Sequence, residues 1–226
     1  MKETRGQVLL GSLQAALGLF GCGFSIYLTM QANIGLGPWE VFNMGLSYHF
    51  PLSYGDVAMI VSFVIVAVNL LLRERIGVGT ILDALIVGKS ADLFMYLDLI
   101  PAQDNPVTGV LMMVLGMFIM AFTQYIYMSA ALCCGPRDSL LVALGRRVRR
   151  MPIGYVNIIL QLAVLAIGWA LGGPVGIGTI ISAFGLGATM QLTFRCLKFD
   201  PRDIRHQDLL SSARLLLNGK PRNAQI

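Results

Sequence analysis

Leu36-Gly37-Pro38-Trp39-Glu40 and Cys134-Gly135-Pro136-Arg137-Asp138 are two forms of one pentapeptide, and the distance between them decides how the chain is built. A shift of 98 positions carries Gly37, Pro38 and Glu40 onto Gly135, Pro136 and Asp138. After one inserted residue, a shift of 99 carries Gly77-Val78-Gly79-Thr80-Ile81 onto Gly176-Ile177-Gly178-Thr179-Ile180. The same shift places Ala84 and Gly88 on Ala183 and Gly187, Asp83 on Ser182, and Asp92 on Gln191. Identities that fall on glycine and proline at fixed offsets mean that backbone conformation was kept while side chains diverged. The chain is an internal duplication, with repeat one at about 8–98 and repeat two at about 107–197.

Composition sets the solvent. Of 226 residues, 56% are apolar and only 13% charged, which would leave large apolar patches in water but suits a bilayer. The net charge of +5 comes from basic residues outside the apolar runs, so anionic lipid headgroups at the cytoplasmic face, not nucleic acid, are the expected partner. Four cysteines without Cys-x-x-Cys spacing and two scattered histidines predict no metal or redox site and no cofactor. The first apolar run, Val8 to Met30, is too long for the apolar core of a secretion signal and is expected to span.

Six runs have the length of a hydrocarbon core, near 8–30, 54–72, 78–98, 107–131, 153–171 and 176–195. Backbone polar groups have no water to pair with in lipid, so an all-α, polytopic fold is expected. With the N-terminus cytoplasmic, Lys2, Arg5, Arg73, Arg75, the arginines of 137–150 and all basic residues from Arg195 onward fall on one side. The opposite loops then hold Glu40, His49, Asp98 and Asp104, an asymmetry that predicts cytoplasmic N- and C-termini. Three spans per repeat is an odd number, so the repeats are expected to be inverted, with the two Gly-Pro motifs at opposite faces. Each motif opens a short segment, 39–50 and 138–150, expected to lie in the interface or to re-enter the membrane. Residues 1–198 form the membrane domain and 199–226 a cytoplasmic tail, where Leu209, Leu210, Ala213, Leu216 and Leu217 predict an amphipathic helix.

The ordered set Gly35-x-Gly37-Pro38-Trp39-Glu40, Gly77-x-Gly79-Thr80, Gly135-Pro136-Arg137-Asp138 and Gly172-Gly173-x-x-Gly176-x-Gly178-Thr179 resembles the YczE/YyaS/YitT family of bacterial integral membrane proteins over about residues 8–197. The chain departs from that family in carrying Glu40 where Asp is usual and Asp83 where Asn is common. The resemblance implies an inner-membrane protein of the kind often described as a transporter, with no substrate or catalytic residue to carry over.

Candidate solute or coupling residues are the ionisable and polar groups within spans: Lys89, Asp92, Asp83 and Gln191. Lys89 is expected near the bilayer centre, where a charge costs about 2.5–3.5 kcal/mol, neutralised by Asp92 three residues on. Its replacement by Met is then expected to abolish activity with folding intact. Glu40, Arg137 and Asp138 are either helix caps and anchors or gates at the two mouths. Gly37-Pro38, Gly135-Pro136, Gly77, Gly79, Thr80, Gly176, Gly178 and Thr179 mark backbone breaks, and the small pairs Ala84/Gly88 and Ala183/Gly187 are expected to bring the third and sixth spans together. No nucleophile and base pair, nucleotide loop or zinc motif is present, which argues against an enzyme. The expectation is a small-solute transporter with its site between the third and sixth spans, Lys89 and Arg137 leaning toward an anionic solute. A membrane scaffold or accessory protein and a small-ion channel are the alternatives.

Overall fold

The computed structural model describes residues 5–74, 76–130, 135–148 and 151–199, with the backbone alone over 5–9. Among these residues the chain forms helices and no strand: α1 (Arg5–Gln31), α2 (Pro38–Ser47), α3 (Tyr54–Leu71), α4 (Val78–Leu97), α5 (Pro106–Ser129), α6 (Pro136–Arg147), α7 (Ile153–Ala170) and α8 (Ile177–Cys196). Five of them, α1, α3, α5, α7 and α8, are long and apolar enough to cross a membrane. The remaining long helix, α4, has 20 residues but carries Asp83, Lys89 and Asp92. The expected tail helix lies outside the described residues.

The repeated motifs are helix starts. Gly37 and Gly135 precede α2 and α6 with nearly identical backbone angles, φ −65°, ψ 160° and φ −61°, ψ 163°, and each is followed by proline at the first helical position. Proline there lacks only an N–H that would have no helical partner. The Gly-x-Gly-Thr copies open α4 and α8 in a shared way: the hydroxyl oxygen of Thr80 accepts from Gly77 N–H at 3.4 Å, and that of Thr179 from Gly176 N–H at 3.1 Å. A threonine three residues into each helix thus satisfies a donor outside it.

The two halves interlock. α1 packs on α4 and α5 on α8, α1 and α5 pack on each other, and each short helix crosses to the other half, α2 onto α7 and α6 onto α3. Glycines permit these crossings. A Cβ on Gly45 would lie 2.5 Å from the Gly168 carbonyl oxygen, and one on Gly168 would lie 2.6 Å from Phe42 Cα. The symmetry is incomplete, because α3 packs along α4 without comparable packing between α7 and α8. Large apolar side chains turn outward, among them Leu71 at 81% and Phe184 at 80% exposure, as lipid contact requires.

The small pair on α4 does not meet α8. A Cβ on Gly88 would sit 2.7 Å from the Gly55 carbonyl oxygen and 3.2 Å from Gly55 Cα, so this glycine sets the approach of α3, while one on Gly187 would meet nothing within 4 Å. Neighbouring backbone cannot yield as a flexible side chain can. Gly88→Val is therefore expected to destabilise the fold by about 2 kcal/mol or more, with Gly187→Val close to neutral. Thermal unfolding of both variants in detergent checks the contrast.

Candidate functional site

A cavity of about 420 Å³ occupies the centre of the bundle, and residues from all eight helices line it. The first turns of α2 and α6 enter it together. Arg137 donates to Glu40 at 3.1 Å, with the two side chains 31% and 18% exposed, and its guanidinium carbon stands 4.9 Å from the centre of the Trp39 ring. Arg137 and Trp39 each follow the proline of their motif, so equivalent positions of the two copies touch. A guanidinium held against an aromatic face and a carboxylate is stabilised by both. The two copies therefore do not occupy opposite mouths, and the starts of α2 and α6 lie inside the bundle and not along its surface.

Glycine at the motif makes room for carboxylates. A Cβ on Gly37 would fall 2.5 Å from Glu40 Oε2 and 3.4 Å from Ser182 Oγ; one on Gly135 would fall 3.1 Å from Asp83 Oδ2 and 3.8 Å from Asp138 Oδ2. The repeat equivalence of Glu40 with Asp138 and of Ser182 with Asp83 is thus also a spatial one. The first copy presents one carboxylate and a hydroxyl, the second two carboxylates. Asp83 and Asp138 both line the cavity, and neither forms a hydrogen bond or ion pair with another described residue.

Around this charge cluster lie further polar groups. Gln161 donates to Asn157 at 3.2 Å, and both line the cavity from α7. The Tyr54 hydroxyl, on a residue only 5% exposed at the cavity wall, lies beside the amide of fully buried Asn43.

Of the residues singled out from sequence, Asp83, Glu40, Arg137 and Asp138 come together here, and Lys89, Asp92 and Gln191 do not. Lys89 pairs with Asp92 at 3.5 Å as its spacing predicts, but its closer partner is Asp56 at 2.5 Å. Asp56 lies in the first turn of α3, so the ammonium is drawn to that helix end, 47% exposed, instead of sitting at the centre of a span. Asp92 accepts from Gly55 N–H at 2.7 Å and from the Ser53 hydroxyl at 2.5 Å, fixing the start of α3. Gln191 is exposed on α8, away from the cavity. Lys89→Met is accordingly expected to cost no more than about 1 kcal/mol and to leave the cavity intact, which a melting curve and a ligand titration will read separately. The sequence offered no role for Trp39, Asn43 or Tyr54. The repeat alignment of Trp39 with Arg137 was the available signal; nothing pointed to the other two.

A helical bundle with an apolar exterior and a charged interior cavity is a multi-pass membrane protein. Residues 12–195 match the model described as "Family of unknown function (DUF6198)", and the chain belongs to that family. It is 29% identical over 178 residues to the "Uncharacterized membrane protein YczE" of Bacillus subtilis (strain 168), covering 78% of this chain and 81% of that one. An "Uncharacterized protein" of Haemophilus influenzae is 27% identical over 180 residues, 78% of each chain. The "Uncharacterized protein YyaS" of B. subtilis is 23% identical over 168 residues, 74% of this chain and 83% of its own. The matches to YczE and YyaS agree with the motif resemblance. No solved structure matches.

Proposed function

We propose that the protein is a small-solute transporter whose substrate binds in the central cavity where α2 and α6 begin. The observation that carries this reading is the cavity itself: about 420 Å³, within the range of roughly 300–1,000 Å³ usual for small-molecule sites, with charged side chains from both repeats converging on it. A scaffold has no need of charge in its interior, where each ionisable group carries a desolvation cost.

In this reading six helices cross the bacterial inner membrane as two inverted three-span repeats, both termini are cytoplasmic, and α2 and α6 are re-entrant. Support comes from the reciprocal crossing of α2 onto α7 and α6 onto α3, and from the contact between the equivalent residues Trp39 and Arg137. The three charges on α4 are compatible with a span because Asp83 faces the cavity and Lys89 is paired near a helix end. Rocking of one repeat against the other would open and remake the Glu40–Arg137 contact, exposing the cavity to each side in turn.

The test is a thermal-shift panel of small solutes on the detergent-purified protein, followed by uptake into liposomes of any that binds. A transporter is stabilised by its solute and shows saturable uptake. Absence of any stabilising solute would favour the scaffold, and non-saturating flux the channel.

A further inference from the structure

We propose that the solute is a small organic monocation, received by Asp83 and Asp138. This deepens the transport reading and rests on it. The charges of the cavity carry the inference. Three carboxylates, Glu40, Asp83 and Asp138, face one guanidinium, and that guanidinium is already engaged by Glu40 at 3.1 Å and by the Trp39 ring. Lys89 adds no positive charge here, because Asp56 and Asp92 hold it outside the cavity. Asp83 and Asp138 thus lie together beside Gly135 without a hydrogen bond or ion pair to a described residue, and the one guanidinium near them is shared with Glu40, so the cavity holds three carboxylates for one cation. Two carboxylates close together within a low-dielectric wall are each better accommodated once a positive charge joins them.

The second observation is independent of the acids. The cavity they line is about 420 Å³, room enough for a small organic molecule, and side chains of the other six helices complete its wall. The remainder of the wall selects an organic cation over a bare ion. Tyr54, Ile26, Leu160 and Leu186 give it aromatic and apolar surface that an alkyl or planar group can cover and a bare ion cannot. The Arg137 guanidinium lying on Trp39 beside Glu40 shows in miniature how this cavity accommodates a planar or alkylated cation.

The experiment uses the full-length protein in detergent, titrated with ethylammonium, tetramethylammonium and methylguanidinium chlorides and with the sodium salts of acetate, propionate and phosphate, binding being read by thermal shift and calorimetry. At least one organic cation should bind saturably and the anions should not. Asp83→Asn and Asp138→Asn should each weaken that cation by at least about tenfold. Asp83→Glu, which keeps the charge, should retain most of the affinity and so separate loss of the site from loss of fold. Binding of an anion in preference would overturn the proposal and leave the transport reading standing. Cation binding unchanged in both asparagine variants would overturn the assigned residues, and failure of every cation to bind would overturn the class. Binding of neither sign, with no uptake, would count against transport itself.

Discussion

Arg137→Gln is expected to lower the unfolding free energy by about 2 kcal/mol, below the range of about 3–5 kcal/mol for breaking a fully buried ion pair, because the two side chains keep 31% and 18% exposure. The reason lies less in the lost attraction than in what stays behind. Glu40, Asp83 and Asp138 would share a cavity with no positive side chain, and Trp39 would lose the cation on its face. Glu40→Gln should cost less, because the guanidinium still has Asp83 and Asp138 nearby as carboxylates that act on it. The double variant should then recover part of the Arg137→Gln loss, a coupling that a double-mutant cycle measures directly. Arg137→Lys should fall between, since lysine keeps the charge but has no planar face to lay on the indole. Unfolding midpoints of the four variants in one detergent decide the matter. If Arg137→Gln and Arg137→Lys are both within about 0.5 kcal/mol of the parent, as ordinary surface substitutions are, the pair does not hold the two halves together.

How much of this was legible beforehand depends on which physical signal a residue leaves in sequence. The long helices were legible because a bilayer demands apolar runs of fixed length, and the expected runs coincide with α1, α3, α4, α5, α7 and α8 to within a few residues. The helix starts were legible because Gly-Pro and Gly-x-Gly-Thr constrain the backbone locally, whatever surrounds them. Where α2 and α6 point was not legible. A short segment with an apolar stripe and terminal arginines fits a surface helix as well as one that enters the bundle, and the difference resides in glycines of other helices, such as Gly168, that admit it. Lys89 illustrates the same limit. Its position twelve residues into a span implied depth, but a long side chain follows its carboxylate partner, and Asp56 is thirty-three residues away on another helix. The lean toward an anionic solute counted Lys89 among the site's charges, whereas its ammonium pairs with Asp56 and Asp92 outside the cavity.

The backbone of Gly35 is where one substitution should do most to undo the interlock. Its φ of +103° lies in a region that side chains rarely enter, and a Cβ there would stand 2.4 Å from Gly176 N and 2.7 Å from Gly176 Cα. Those atoms belong to the other half of the molecule, at the start of α8. The contact is flanked by two backbone hydrogen bonds that join the halves, Leu36 N–H to the Pro174 carbonyl at 3.2 Å and Gly178 N–H to the Ile34 carbonyl at 2.7 Å. Gly35→Ala therefore combines conformational strain of about 1–3 kcal/mol with a backbone clash that can be relieved only by parting the two segments. Parting them weakens both hydrogen bonds and shifts the first turn of α8, which carries Thr179 as its cap and leads to Ser182 beside Gly37. We expect a loss of more than about 3 kcal/mol, with α2 no longer seated at the cavity. Gly172 supplies the control, for its φ is +83° but a Cβ there would meet nothing within 4 Å, so Gly172→Ala carries the strain without the clash. Melting curves and size-exclusion profiles of the two variants isolate the second contribution. Should Gly35→Ala prove no worse than Gly172→Ala, the close approach of Gly35 to Gly176 does not hold the repeats in register, and the placement of Glu40 opposite Arg137 must depend on the crossing of α2 with α7 alone.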